Sequence, residues 1–368
     1  MESGRINKSV GLVAAVLVSM LIVPAMARAA AAPKSAEEVW RALEKLPAAE
    51  REKRLVEGAK GEKEMLWYTN TGIDNANNYI RAFKKAYPFV NAKVWRAKSR
   101  TISDRFLTEA RAGVYLADIV KNSTNLLPPL FEQKLIGRYE SPIRASYPAH
   151  AKGELWTNLN YEFRVFAFND RMISRQEAPK SWEELLDPKW KGKILFDESS
   201  QEEVVTWLAM KGKEKTIAYF KKLAENLSIR RGRDTIANLL AAGEAPLAVT
   251  VYPYNMETMR AQKAPVDWIA PDMIPGLLYP LTMVRNAPHP YSAALFYDFL
   301  LSDAGQKMIA SEGRIAADPK IEPIFPKMKE LKQLLGTARV HINTAEEAPQ
   351  FYNDSLKILD EAVLGRKR

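Results

Sequence analysis

The chain has 368 residues, no cysteine, three histidines and a formal net charge of +10. These counts exclude disulfides and thiolate metal sites, and the sequence contains neither a Gly-x-Ser-x-Gly nor a His-Glu-x-x-His motif, so hydrolase chemistry is not expected. The cations are mixed with acids along predicted helices, as at 211–215 and 327–332, which is typical of solvated faces and argues against nucleic-acid binding.

The first 29 residues have the organisation of a secretory signal peptide. Arg5 and Lys8 give a positive start, 10–23 is an apolar run, and Ala27-Arg28-Ala29 has small residues at the spacing that a signal peptidase recognises. The apolar run has about 14 residues, short of the roughly 20 that span a bilayer. We therefore expect residues 1–29 to be cleaved and the protein to be located in the periplasm.

Residues 30–57 are predicted to form a helical extension before the main fold. Ser35, followed three residues later by Glu38, has the spacing of a capping box, in which each side chain bonds the backbone N–H of the other residue. Pro47 interrupts the helical pattern and divides the segment into two short helices.

The next segment alternates short apolar strands with helices. Strands are predicted at 65–68, 92–95 and 117–120, and the helix that Asp74 caps has its apolar residues at helical spacing. A strand–helix–strand–helix–strand order predicts an α/β fold with a mainly parallel sheet that is covered on both faces.

Two long β-prone segments, 155–169 and 276–284, do not follow this alternation of short strands and helices. A strand of such length can leave one lobe and enter another, so the two segments predict two crossings between two lobes. Ligands commonly bind between domains and at strand ends, and two-lobed proteins of this kind close about a hinge. We therefore expect a ligand cleft between the lobes.

These features together give the predicted domain organisation. The first lobe is predicted to consist of residues 58–164 and 281–323, and the second lobe of residues 165–280 and 324–368.

Local strings between residues 57 and 323 occur in the order and spacing of a known family. The strings are Glu57-Gly58-Ala59-Lys60, Ala117-Asp118-Ile119-Val120, Arg164 to Asn169 (RVFAFN), Pro179 to Ile194 (PKSWEELLDPKWKGKI) and Tyr252-Pro253-Tyr254. Together they resemble bacterial extracellular solute-binding proteins of family 1, the ferric-iron type with the type II periplasmic-binding fold. That group also includes relatives that bind thiamine, polyamines, phosphonates and sugar phosphates.

The resemblance implies the periplasmic substrate-binding component of an ABC transporter, a protein that closes around a small solute and docks on a membrane permease driven by an ATPase. It implies no enzymatic activity, no cofactor and no membrane insertion after signal cleavage, and we expect a monomer. A ligand-sensing partner of a signalling receptor would have the same binding core and stays an alternative.

The resemblance also places the ligand site in loops at the strand ends of both lobes. Carried over by position, with Arg164 added from the crossing segment, the ligand-binding residues are Thr69, Asn70, Thr71, Arg100, Asn122, Ser123, Arg164, Ser199, Ser200, Arg233, Tyr252 and Tyr254. The arginines can bind a carboxylate or phosphate through two hydrogen bonds, or they pair with acids of the protein itself. Ser200 either offers its hydroxyl and free helix N–H groups to an oxyanion or is a simple helix cap.

Tyr252 and Tyr254 bear on the choice between a ferric ion and an organic solute. Ferric-binding members of the family present two adjacent tyrosines, whereas Pro253 separates the pair here, and the mapped loops of the first lobe contain no His or Glu. In an extended segment residues i and i+2 share a face, so both rings can still point into the cleft. The sequence favours a small anionic or zwitterionic solute and no resident metal. Ferric iron held by the two tyrosines is the alternative cargo.

Overall fold

The computed structural model describes residues 35–366. The predicted signal peptide lies outside these residues, as do the first residues of the predicted extension. No helix within the described part of the chain is long and apolar enough to cross a membrane.

The described residues form an α/β fold. The α-helices are, in chain order, α1 (Ala36–Leu43), α2 (Ala48–Glu62), α3 (Ile73–Ala86), α4 (Ser99–Arg111), α5 (Pro128–Glu132), α6 (Gln201–Lys211), α7 (Lys213–Leu223), α8 (Arg233–Ala242), α9 (Pro253–Ala261), α10 (Pro290–Leu301), α11 (Asp303–Ser311), α12 (Pro326–Gln333) and α13 (Ala348–Ile358). The strands are β1 (Glu64–Thr69), β2 (Asn91–Arg96), β3 (Ile119–Lys121), β4 (Ile136–Gly137), β5 (Thr157–Phe163), β6 (Val165–Asn169), β7 (Ile194–Asp197), β8 (Leu227–Arg230), β9 (Leu247–Val251), β10 (Val266–Ile269), β11 (Ile274–Val284), β12 (Ile315–Ala316) and β13 (Val340–Asn343). Short 3-10 helices lie at Thr124–Leu126, Pro142–Ser146, Ala149–Ala151, Glu183–Leu186, Pro188–Trp190 and Ala224–Asn226, and a π-helical turn at Leu359–Val363 follows α13.

The first sheet contains the three strands that the alternation predicts. Its strand order is β12-β5-β11-β3-β1-β2, with β13 and β4 also paired to β11. β1, β2 and β3 are parallel as predicted, with Trp67 opposite both Val94 and Ile119. β5 runs antiparallel to β11 and β12, and β11 is antiparallel to β3 and β4 but parallel to β13, so the sheet as a whole is mixed rather than mainly parallel.

The predicted N-terminal extension packs on this first sheet's helices. Ser35 and Glu38 form the predicted capping box, with each side chain accepting the other's backbone N–H. Trp40 is fully buried, and its indole N–H donates to the first backbone carbonyl of α10 at 2.9 Å. Gly58 lets α2 approach α10 closely, because a Cβ there would lie 2.2 Å from the ring of Tyr291.

The second sheet has the order β10-β6-β9-β7-β8. The predicted long segment 155–169 is two strands, since β5 ends in the first sheet at Phe163 and β6 begins in the second sheet at Val165. Arg164 is therefore the point at which the chain crosses. It returns between β10 and β11, and β11 pairs within the first sheet from Ile274 onwards. Two sheets joined by two crossings confirm the predicted two-lobed fold class.

The C-terminal segment contacts elements of both sheets. β13 pairs with β11 in the first sheet, whereas α13 packs on α6, which follows β7 of the second. Gln201 donates to the Ser355 hydroxyl at 3.1 Å, and Lys213 pairs with Asp354 at 2.8 Å. The residue boundaries of the two lobes stay a prediction.

Candidate functional site

Loops from both sheets line one cavity of about 460 Å³. The first sheet contributes the residues that follow β1, β2 and β3, and the second sheet contributes those that follow β7, β8 and β9. Parallel strands end at the same edge of a sheet, so residues far apart in the chain arrive at one place. The cleft predicted from the two-lobed arrangement is present.

The predicted site residues fall into two groups around this cavity. Those that line it are Asn70, Thr71, Arg100, Ser123, Ser199, Arg233, Tyr252 and Tyr254. Thr69, Asn122, Arg164 and Ser200 are buried and do not line it. The role of all these residues in ligand binding stays a prediction.

Thr69 and Asn122 shape the loops that follow their strands. The Thr69 hydroxyl accepts the backbone N–H of Thr71 at 3.0 Å, and the Asn122 side-chain oxygen accepts the backbone N–H of Ser123 at 2.9 Å. The Asn122 amide also donates to the Ser103 hydroxyl at 2.9 Å. These bonds satisfy buried polar groups and set the course of the loop backbone.

Ser200 precedes α6 as predicted, but its side chain makes no capping hydrogen bond. Its hydroxyl instead lies 3.0 Å from the Thr250 hydroxyl of β9 and is fully buried. Ser199, one residue earlier, lines the cavity, and its backbone N–H donates to Asp197 at 3.2 Å. At the start of α6 the cavity wall is thus formed by Ser199 and Gln201, not by the Ser200 hydroxyl.

On the second-sheet side, arginines pair with acids in what we term the arginine–acid cluster (Arg164, Asp197, Glu202, Glu203 and Arg233). Arg164 donates to Glu202 at 2.9 Å, and its Nε lies 3.0 Å from Glu203. Arg233 donates to Glu203 at 3.1 Å, and a second nitrogen lies 3.6 Å from Asp197. Burial raises the pKa of the Glu203 carboxyl, and the two guanidinium groups oppose that shift. Both arginines therefore already have anionic partners within the protein.

Tyr252 and Tyr254 lie side by side, with ring centres 5.3 Å apart, and both line the cavity. The geometry differs from the extended segment that the sequence predicts, because Pro253 is the first residue of α9 and Tyr252 is its N-cap. Arg164 lies over the Tyr252 ring at 4.4 Å. Burial, with Tyr252 nearby, raises the pKa of Tyr254 well above its ordinary value, so the neutral phenol is favoured.

On the first-sheet side, Asn70, Lys121 and Tyr279 form what we term the lysine wall. Lys121, the last residue of β3, is buried to 5% exposure and lines the cavity. Its ammonium donates to the Asn70 side-chain oxygen at 3.1 Å and lies 4.7 Å from the Tyr279 ring centre. Burial lowers the pKa of Lys121 to about 7, with Arg314 contributing to the decrease.

Arg314 connects the two sides of the cavity. It lies just before β12 of the first sheet, donates to the Tyr254 hydroxyl at 2.9 Å and stacks on that ring at 4.0 Å. It also forms ion pairs with Glu162 and, at 3.1 Å, with Glu312. Glu312 accepts the Tyr79 hydroxyl at 2.5 Å, and burial raises its pKa to about 7.

Several of these lining residues were missed by the sequence analysis: Lys121, Glu162, Tyr279, Glu312, Arg314 and Tyr352. Lys121 could have been predicted from the sequence, because it directly follows the predicted strand 117–120 and therefore lies at the strand end that faces the cavity. Glu162 and Glu312 place carboxylates on the first-sheet side of the cavity, whereas the first-lobe loops identified from the sequence contain no Glu. Tyr352 belongs to α13, and its hydroxyl accepts a hydrogen bond from Arg100. Nothing in the local sequence around Arg314 or Tyr352 indicates a binding site.

The histidines lie away from the cavity. His150 contacts Tyr161, His289 contacts Asp118, and His341 contacts Glu347. Among residues 35–366, no group of three or more His, Cys, Asp or Glu side chains is placed to hold a metal ion. The oxygen donors beside Tyr252 and Tyr254 are engaged with arginines, so a ferric ion would depend chiefly on the phenols themselves.

Comparisons with known proteins agree with this architecture. Residues 102–335 match the model of a family described as bacterial extracellular solute-binding protein. The chain is 24% identical over 244 residues to the Fe(3+)-binding periplasmic protein of Serratia marcescens, a match that covers 61% of this chain and 69% of the relative. It is 24% identical over 236 residues to the putative 2-aminoethylphosphonate-binding periplasmic protein of Salmonella typhi, covering 58% of this chain and 68% of the relative. Two further curated relatives are matched over only about half of their length.

Solved structures show the same fold. Iron-bound HitA from Pseudomonas aeruginosa superimposes with a TM-score of 0.69 at 20% identity, covering 81% of this chain and 99% of that chain.

Proposed function

Because the chain belongs to the family of bacterial extracellular solute-binding proteins, we propose that it is the periplasmic substrate-binding component of an ABC importer. In this proposal it captures a small anionic or zwitterionic solute in the cleft between its lobes and delivers the solute to a membrane permease driven by an ATPase. The cleft binds and releases the solute without chemical change, and the protein acts as a monomer after cleavage of residues 1–29.

The observation that supports this proposal is the composition of the cavity wall. Both lobes contribute polar and aromatic side chains to one cavity of about 460 Å³, a size suited to a small molecule. The arginines of the arginine–acid cluster are paired with acids of the protein, whereas Arg96, Lys98 and Arg100 line the opposite side without a carboxylate in salt-bridge range among the described residues. The surplus charge of the wall is positive, which favours a solute with an anionic group.

Native mass spectrometry of the protein purified from the periplasm of its own host tests the proposal, because a tightly bound solute is carried through purification. The solute identified should raise the melting temperature and compact the protein in X-ray scattering, since ligand closure joins the two lobes. A solute that stabilises the protein without any compaction would contradict closure between the lobes.

Ferric iron is the second candidate cargo, because Tyr252 and Tyr254 lie side by side in the cavity and Tyr279 lines it as well. Relatives named for iron binding share the family. The raised pKa of Tyr254 disfavours the phenolate that iron requires, and the guanidinium groups that lie over both rings repel a cation. A visible charge-transfer band with ferric citrate separates the two candidates, as set out in the Discussion.

A further inference from the structure

Lys121 differs from the partly buried arginines that line the cavity, Arg233 and Arg314, and from the buried Arg164, which lies behind its wall. Arg164, Arg233 and Arg314 each lie within 3.1 Å of at least one carboxylate oxygen. For Lys121, no carboxylate oxygen of the described residues lies within ion-pair distance of Nζ, although the side chain is only 5% exposed. A buried ammonium without an anionic partner costs several kcal/mol relative to water.

The contacts that Lys121 does make hold its ammonium at the cavity. The Asn70 amide donates to the Ser99 hydroxyl at 2.9 Å, which turns the Asn70 oxygen towards Nζ. The Tyr279 ring lies on another side of the ammonium, at 4.7 Å. An ammonium has three N–H donors, and a single hydrogen bond is formed within the described residues, so donors remain for a ligand.

We propose that Lys121 receives an oxyanion of the solute, a carboxylate or a phosphate-type group, which supplies the ion pair that the protein itself does not. This inference rests on the proposed function and names the part of the cavity where the anionic end of the solute lies. The opposite end of the solute then faces Tyr252 and the arginine–acid cluster.

The charges around Lys121 predict how binding depends on pH. Arg314 faces it and lowers its pKa, and Glu312 opposes that effect, while Tyr279 and Asn70 are neutral contacts. With a pKa of about 7 in the free protein, the ammonium is partly deprotonated at neutral pH. An oxyanion favours the charged form, so above pH 7 binding takes up a proton and affinity falls as the pH rises, by up to about tenfold per pH unit.

The test compares acids with matched probes that lack the acidic group in a thermal-shift and calorimetric screen. The pairs are succinate with succinamide, 2-aminoethylphosphonate with ethanolamine, and glycerol 3-phosphate with glycerol, so that carboxylate and phosphate-type groups are separate arms. We expect at least one acid, but not its partner, to stabilise the protein. Lys121→Met should weaken that acid's binding about tenfold or more. Without ligand, the variant should melt no lower than the wild type, because it lacks the uncompensated charge.

Lys221→Met is the matched control, since it removes the same charge from an exposed position of α7 that does not line the cavity. It should bind the acid as the wild type does. A purely structural role for Lys121 would instead give a variant that melts lower and keeps the acid response. If Lys121→Met does not fold, the fall in wild-type affinity above pH 7 is the decisive measurement.

The inference is overturned if no acid stabilises the protein more than its partner, if Lys121→Met keeps its affinity, or if affinity is flat between pH 7 and 9. Failure of the proposed function gives a different result, because then no solute, acidic or neutral, compacts the protein in scattering. A neutral solute that compacts the protein would leave the function standing and remove only the role of Lys121.

Discussion

The buried cations on the two sides of the cavity differ in whether an acid of the protein pairs with them. In the arginine–acid cluster, two guanidinium groups are paired with three carboxylates on the second-sheet side. In the lysine wall, a buried ammonium contacts a side-chain amide and an aromatic ring, and no acid within residues 35–366 pairs with it. Cations that are paired with acids of the protein need no ligand as a partner, whereas a buried cation without an acid is stabilised when an anionic ligand binds. The comparison therefore separates residues whose charges are paired within the fold from Lys121, which we propose receives the solute.

The largest expected effect is on stability, from Glu203→Gln in the arginine–acid cluster. Glu203 is fully buried and pairs with both Arg164 and Arg233, so the amide removes the carboxylate that the two guanidinium groups share in a dry environment. Breaking a buried pair of this kind should lower the free energy of unfolding by about 3 kcal/mol, measured by urea denaturation.

Glu64→Gln is the matched control, because Glu64 pairs with Lys93 at 3.1 Å on the exposed surface of β1 and β2. Solvent screens an exposed pair, so this variant should unfold close to the wild type. A similar loss in both variants would show that burial does not distinguish the cluster.

Glu312→Gln should change the pH dependence of stability on the first-sheet side. The pKa of Glu312 is raised from 4.5 to about 7, so between these values the native state binds more protons than the unfolded state. Ionisation of Glu312 therefore destabilises the native protein progressively as the pH rises from 4.5 to 7. Relative to the wild type, the variant should gain about 3 kcal/mol between pH 4.5 and 8, measured by urea denaturation at each pH. A difference between the two proteins that is constant across this range would contradict the raised pKa.

Tyr254→Phe tests whether the tyrosines of the cavity bind iron or an organic solute. With iron as cargo, the wild type mixed with ferric citrate should show an orange-red phenolate band, and the variant should lose it because Phe keeps the ring without the oxygen donor. With an organic solute, which we expect, no colour develops. The variant then binds the solute more weakly by about 0.5–1.5 kcal/mol, the net contribution of one neutral hydrogen bond. A coloured complex that persists in the variant contradicts both alternatives.

The smallest expected effect comes from Tyr352→Phe in α13. The Tyr352 hydroxyl accepts a hydrogen bond from Arg100, and the latter side chain is exposed. Loss of a solvent-accessible bond should lower the free energy of unfolding by less than about 1 kcal/mol. A larger loss by denaturation would show that α13 contributes to stability through this contact and not only through its packing on α6.

Much of the fold could be predicted because its signals are local. The alternation of apolar strands and helices predicts β1, β2 and β3 and their parallel direction, and the capping box at Ser35 predicts the start of α1. The loops carried over from the family resemblance do surround one cavity, because the ends of parallel strands converge at one edge. The mixed pairing of β5 and β11 was not predicted, since strand direction depends on partners more than 100 residues away, as for Gly276 and Phe163.

The sequence by itself determined the α/β class, the two crossings and the family. Hydrophobic periodicity, helix caps and family-specific segments each depend on residues that are close together in the chain. Only the tertiary structure decided which charges of the cavity are already paired. Arg164 pairs with Glu203, Arg314 donates to Tyr254, and Lys121 pairs with no acid of the described residues. Nothing in the residues next to these side chains in the sequence distinguishes the paired cations from the unpaired one. Electrostatic pairing falls off within a few ångströms and depends on burial, and neither distance nor burial is encoded at any single position.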